Sequence, residues 1–391
     1  MFGLIIIIVI RTAPGLFARR ATMTTMEGAP LLGVEPPSRP LAFVTRQAAR
    51  EVSFRRRLLS SANELRRFAA RLTAAAVIVT ATLYFTVGSR SYARSVKGAR
   101  HKSRVLFLET GHAFDVTGRF SCAIESAARH HPGWTVNVLA AVDTPNSTDV
   151  WLDGPFKRML GRFPNVVFDS VQVADMIRGT PLESWSVLDL RKGGADISEH
   201  LSNALRLALL YKRGGVYLDK DTVVMRPLHE FDSCLSQTSL RMGDSVSNSF
   251  LFFEAGHSFL RDAMERIASD HDPGVKSSLG PPLLHDVLLE RCGVASVAPL
   301  AEAGRRCRGV LVVPWHVLSV VPWTAWTVLF VAETADTNAS WWEVCRDSHA
   351  MCLHGKLSAR KKAQKDSPYW RAASENCPRS MEISLDVNGR F

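Results

Sequence analysis

The sequence predicts an α/β fold with a mostly parallel central sheet, and three observations carry that expectation. Short apolar runs alternate with helical periodicity from Val105 onward. A double glycine, Gly214-Gly215, stops a long amphipathic segment, and the apolar stretch from Val216 to Leu218 then runs straight into charged residues. Alternation of this kind builds parallel sheets, whose ligands bind beyond the carboxyl ends of the strands.

Taken in order, Val105 to Glu109 (VLFLE) reads as a buried strand, Cys122 to His130 as a helix, Thr135 to Val142 as a second strand and Asn165 to Phe168 as a short third. From Glu199 to Arg213 the spacing puts Leu201, Leu205, Ala208 and Leu209 on one helical face, and the glycines that follow are a helix stop. In Gly214 to Leu228 (GGVYLDKDTVVMRPL), alternation in extended chain turns Asp219 and Asp221 the same way and Lys220 the other. On that reading Lys220 matters little. Two carboxylates at the mouth of an apolar strand form a hard-oxygen site suited to Mn²⁺, or Mg²⁺, carrying a diphosphate. A lone D-x-D also arises in turns and solvated loops, but here it follows helix, double glycine and strand.

Ahead of this body the chain is different. Residues 1–104 hold 18 Lys or Arg against 4 Asp or Glu, whereas residues 105–391 hold 30 against 33, within a formal net charge of +11. The basic excess therefore lies outside the predicted fold, which argues against a nucleic-acid-binding body. Leu72 to Ser89 carries no charge, and arginines flank it on both sides. At about 1.5 Å per residue such a run crosses a thin bilayer. A buried core helix is the alternative, which the basic flanks disfavour. The expected organisation is a disordered, basic cytoplasmic tail over 1–71, a single transmembrane anchor over 72–89, a stem over 90–103 and a lumenal domain over 104–391. The twenty residues on either side of the span carry six Lys or Arg apiece, so charge does not orient it. The apolar Met1 to Ile10 is too short to span. Seven cysteines, all after residue 120, and the sequons at Asn146 and Asn338 suit a lumenal domain with two or three disulfides, although buried thiols in a cytosolic protein would look the same.

Eight landmarks occur in one order: FLET at Phe107, CAIESAARHHP at Cys122, FPNV at Phe163, LSNALRLALLYKRGGVYLDKD at Leu201, FLFFE at Phe250, GPPLL at Gly280, CRGV at Cys307 and VPW at Val321. From about Arg104 to Pro378 the chain thereby resembles the lactosylceramide alpha-1,4-galactosyltransferases and the related alpha-1,4-N-acetylglucosaminyltransferases. The resemblance implies a GT-A fold, Mn²⁺, a UDP-sugar donor such as UDP-galactose, and a glycolipid acceptor. It also implies retention of anomeric configuration in a type II Golgi membrane protein. The alternatives are an N-acetylglucosaminyl- or N-acetylgalactosaminyltransferase acting on glycans, and an impaired sugar-nucleotide-binding relative. Carried across, Asp219 and Asp221 match the metal and nucleotide carboxylates, and Arg206 a position that reaches the donor sugar. Asn203, Tyr217, Asn248 and Gly280 are the further donor-side candidates. Cys292 and Cys307 match cysteines of the relatives, which implies a disulfide. The chain departs from the pattern twice: Asn203 stands where the family has Asp, and Cys352-Leu353-His354-Gly355 stands for His-x-Trp-Asn. His285 and the tryptophans 323 and 326 are weaker candidates, each more ordinary as surface or core.

Overall fold

The computed structural model describes residues 103–391, apart from 112–113, 144–149, 186–194, 239–244, 271–278, 319–320, 334–339 and 389–390. The expected tail and anchor, the stem up to residue 102, and the asparagines of both sequons lie outside the described residues. Among those described, no helix is long and apolar enough to cross a membrane.

Among the described residues, nine strands form two sheets. The large one has the order β3-β2-β1-β4-β7-β6-β8, from β1 (Arg104–Glu109), β2 (Thr135–Val142), β3 (Val166–Gln172), β4 (Gly215–Leu218), β6 (Cys234–Gln237), β7 (Val246–Phe253) and β8 (Leu311–Val313). Its β3-β2-β1-β4 half is parallel throughout, as are β6 and β8, while β7 runs antiparallel to β4 and β6. This is an α/β arrangement, mostly parallel as expected and mixed at β7. The small sheet pairs β5 (Thr222–Val224) with β9 (Ala350–Cys352).

Strand alternation sorts the core into two layers. Leu106, Leu108 and Tyr217 face one side, where α2 (Ala195–Arg213), α3 (Ser258–Asp270) and α4 (Pro281–Cys292) cover them. Val105, Phe107, Val216 and Leu218 face the other, against α1 (Gly118–His130). Burying each such side chain stabilises the fold by about 1.5–3 kcal/mol. Thr117 starts α1 by accepting the Phe120 N–H, a length of 3.4 Å. The double glycine does more than stop α2. Both residues have positive φ, and a Cβ on Gly214 would lie 2.7 Å from the Ala255 nitrogen, one on Gly215 2.8 Å from the Arg104 oxygen. Only glycine lets β4 enter between its neighbours here.

A third cluster lies under the C-terminal residues, where Tyr369, Phe330, Met351 and Leu353 pack on Cys122. Helices α5 (Pro368–Asn376) and α6 (Pro378–Asn388) close it. Cys122 in α1 is bonded to Cys377, which joins α5 to α6, and Cys292 is bonded to Cys307, the pairing the resemblance implied. Cys234, Cys345 and Cys352 remain thiols.

Candidate active site

The chain leaves the sheet after Leu218. The Asp219 N–H donates to the Ser249 carbonyl of β7 (3.0 Å), and the Thr222 N–H donates back to the Asp219 carbonyl (3.0 Å), so residues 219–222 make a turn. That turn overrides strand alternation and corrects the expectation for Lys220. Its ammonium faces the same cavity as the two aspartates and pairs with Glu109 at the end of β1. The second oxygen of Glu109 accepts the Gly111 N–H at 2.8 Å.

Behind Asp219 stands Arg206, whose side chain is only 8% exposed. Its position one helical turn after Ser202 lets Nε donate to the Ser202 carbonyl (3.2 Å) and Nη2 to the Ser202 hydroxyl (3.1 Å). Nη1 donates to Asp219 Oδ1 (3.0 Å) and to the Asn248 carbonyl (2.8 Å). The guanidinium lies 4.7 Å over the ring of Tyr217, and the Tyr217 hydroxyl donates to the same Asp219 oxygen at 2.9 Å. Burial opposes the charge on Arg206, yet Asp219, Tyr217, Glu199 and Asp221 together more than offset this and its pKa is raised. Burial also holds the Tyr217 phenol well above its usual range, so it stays a donor. Asn203 is buried and accepts a hydrogen bond from the Asn248 amide at 2.8 Å. The two asparagines form a layer behind Arg206 and are not on the cavity wall. Gly280 precedes α4, where Pro281 and Pro282 fill the first turn, and neither Gly280 nor His285 lines the cavity.

Asp221 faces the C-terminal segment. Burial, with the charge of Asp219 beside it, pushes its carboxyl up to about 6, against the opposing pull of the Gly355 N–H that donates to it. A side chain at 355 would place its Cβ 2.9 Å from that carboxylate oxygen. The β5–β9 pairing sets Cys352 opposite Thr222 and brings Cys352 and His354 to the cavity wall. Burial, and then Asp221, hold the Cys352 thiol well above its usual range, so it is uncharged. Burial lowers the pKa of His354, whose Nε2 lies 2.9 Å from the Val321 carbonyl and whose Nδ1 lies 4.0 Å from the Cys352 sulfur.

Sequence reasoning missed Arg119. It enters the cavity from the first turn of α1, donates to the Ser358 hydroxyl (2.8 Å) and to the Lys361 carbonyl, and lies 4.9 Å over the Phe330 ring. A cation in a first helical turn opposes the helix dipole, and that mismatch was the available signal. The cavity these residues enclose measures about 1080 Å³, ample for a nucleotide sugar.

A divalent cation fits this donor set in one way. Among the described residues no group of three or more His, Cys, Asp or Glu is gathered for a metal. Two adjacent carboxylates, one of them pushed up by burial and then by the other, are relieved by a cation that takes its remaining ligands from substrate phosphates and water. That is the usual habit of hard ions in phosphate sites.

Residues 117–241 match the glycosyltransferase sugar-binding region containing DXD motif, and residues 252–384 match the alpha 1,4-glycosyltransferase conserved region. The lactosylceramide 4-alpha-galactosyltransferase of Pongo pygmaeus is 31% identical over 168 residues, 43% of this chain and 74% of that one. The chain belongs to the alpha-1,4-glycosyltransferase family. The rat lactosylceramide 4-alpha-galactosyltransferase is 31% identical across 58% of this chain and 61% of the relative, so the match spans about three fifths of that enzyme. The human alpha-1,4-N-acetylglucosaminyltransferase is 28% identical across 54% of this chain and 60% of its own length. Among solved structures, galactosyltransferase LgtC with donor and acceptor sugar analogues is similar at 14% identity, over 73% of this chain and 96% of that one, with a TM-score of 0.34. The two family regions fall on the two halves of the cavity: Arg119, Arg206 and the aspartates lie in the first, Cys352, His354 and Gly355 in the second.

Proposed function

We propose that the chain transfers galactose from UDP-galactose to a glycosphingolipid in alpha-1,4 linkage, with retention, from a type II anchor in the Golgi membrane. The observation that carries this reading is the meeting of Asp219, Asp221 and Arg206 in one cavity at the carboxyl end of β4. Asp219 and Asp221 would hold Mn²⁺, which neutralises charge on the leaving diphosphate. Arg206 and Tyr217 fix the rotamer of Asp219 through one shared oxygen and leave its other oxygen for the ion. The Gly355 N–H does the same for Asp221. Asn203 and Asn248 support the donor side from behind this wall, Gly280 is not part of it, and Lys220, neutralised by Glu109, adds no net charge.

A catalytically impaired sugar-nucleotide binder is the second reading, favoured by the uncharged thiol of Cys352 where relatives carry imidazole. UDP release by the purified protein decides between them, with UDP-galactose, UDP-N-acetylgalactosamine and UDP-N-acetylglucosamine each tried with Mn²⁺. The proposed enzyme releases UDP fastest from UDP-galactose with a lactosyl acceptor, and Asp221→Ala or EDTA abolishes release. UDP binding without release from any donor supports the second reading. Undiminished release after rigorous chelation sinks the metal assignment.

A further inference from the structure

The surface changes character at the rim of the cavity, where Leu357, Arg360, Lys361 and Lys362 also form part of its lining. Between residues 355 and 365 there are five Lys or Arg and no Asp or Glu, in a body that is otherwise slightly acidic. Lys356 is paired with Glu199, whereas Arg360, Lys361, Lys362 and Lys365 are exposed with no carboxylate of the described residues within ion-pairing distance. Beside them lie three of the few large apolar side chains left in solvent: Trp323 at 51%, Leu357 at 46% and Val331 at 42% exposure.

These groups belong to one piece of surface. The short helix Gly355–Ser358 packs on the 3₁₀ helix Trp323–Phe330. The Gln364 N–H donates to the Phe330 carbonyl (2.9 Å) and its side-chain oxygen accepts the Ala332 N–H (2.7 Å), so the basic run lies alongside the end of that helix, next to Val331. Arg119, donating to Ser358 and the Lys361 carbonyl, ties the same run to the cavity floor. Trp326 turns inward and meets Phe330 edge-on at 5.9 Å, while Trp323 does not.

Scattered exposed apolar residues need no explanation. A tryptophan and two aliphatic side chains bordered by unneutralised lysines and arginines are different, because that pairing is the chemistry of a bilayer interface. The rings and methyls enter the headgroup boundary and the cations meet anionic phosphates. We infer that this rim is a docking surface for a lipid bilayer bearing anionic headgroups, which holds the cavity mouth against the membrane. Docking itself is independent of the reaction. Its consequence, that a lipid-linked acceptor enters from the bilayer side, rests on the proposed function.

Hydrogen exchange on the full chain in phosphatidylcholine nanodiscs, with and without phosphatidylserine, tests it. Amides of residues 322–332 and 355–366 gain protection in the anionic discs and not in the neutral ones, and the gain shrinks with added salt. Lys365→Gln weakens it, each such cation being worth roughly fivefold in affinity for an anionic surface, and Trp323→Ser removes most of it at an unchanged thermal midpoint. Equal protection in both discs, protection in neither, or protection by soluble heparin but not by anionic discs each overturns the inference. Protection that rises with protein concentration in neutral discs marks a second copy as the occupant and overturns it too. UDP release measured in parallel separates the claims: protection without release leaves docking standing and removes the reaction, and release without protection does the reverse.

Discussion

At the scale of single residues the centre is controlled by how each aspartate is held. Asp221 has its carboxylate against the Gly355 N–H, with no room for a Cβ at that glycine. Gly355→Ala must therefore push the carboxylate aside, and we expect the Mn²⁺ needed for half-maximal UDP release to rise about tenfold, equivalent to roughly 1.4 kcal/mol of lost binding. Cys352 gives a contrast in the other direction. A thiol suits a hard cation poorly, so Cys352→His lowers the Mn²⁺ requirement if the site is merely weakened, and His354→Ala raises it if His354 has taken over. The His354 Nε2 is already satisfied by Val321, which leaves only Nδ1 for that task. An Mn²⁺ titration unmoved by either change removes this segment from the metal site. The aspartates could be named from sequence because helix stop, strand and D-x-D are local signals, whereas Arg206 and Tyr217 were named only through the family resemblance. The orientation of Lys220 could not, since a hydrogen-bonded turn replaces the strand geometry one residue after Leu218.

At the scale of elements, α1 is the joint on which the C-terminal residues hang. Glu125 is fully buried, and its carboxylate accepts the Arg379 N–H (3.3 Å), the Ser380 N–H (2.7 Å) and the Ser380 hydroxyl (2.8 Å) at the start of α6. A carboxylate at a helix N-terminus meets both free N–H groups and the positive end of the dipole. The Cys122–Cys377 disulfide locks the same joint across 255 residues, while Cys292–Cys307 closes only 15. On the chain-entropy argument the first is worth about 5 kcal/mol and the second about 3 kcal/mol. Replacing both cysteines of a pair by serine should thus lower the thermal midpoint more for 122/377, and the reverse order would refute the entropic account. The strands and α2 were legible because each carries its own periodicity. The β5–β9 pairing and the Cys122–Cys377 bond were not, because residues more than a hundred positions apart leave no local pattern.

For the molecule as a whole, one imidazole in the joint contributes to acid sensitivity. His131 is buried between α1 and the chain after β5, with Nδ1 2.9 Å from the Ala127 carbonyl and Nε2 accepting the Leu228 N–H at 2.8 Å. Both nitrogens are engaged by the neutral ring, and burial lowers the pKa to about 4. The unfolded chain takes up this proton near pH 6.5 and the native one only near 4, so its contribution is intact above 6.5 and is lost as pH falls through that window, to a total of roughly 3 kcal/mol. Thermal unfolding followed from pH 7 to 4.5 should show the wild type losing stability faster than His131→Gln, and parallel curves would exclude the assignment. Membrane topology is the other property of this scale. If residues 72–89 anchor the chain with the body in the lumen, intact Golgi vesicles protect residues 104–391 from added protease, and cleavage of that body without detergent would reverse the proposed orientation.

The small sheet β5–β9 has a meaning for the order of synthesis. Residues 219–224 leave the ribosome long before residues 350–355, which supply the facing strand and the N–H that holds Asp221. For that interval both carboxylates have one wall and no other, and Cys122 waits with its thiol unpaired until residue 377 has emerged. The interval is when an early cysteine is open to a wrong partner, and non-local pairing of this kind is slow. A chain stopped anywhere between β5 and β9 would contain every residue of the D-x-D motif and still lack the second wall of the cavity.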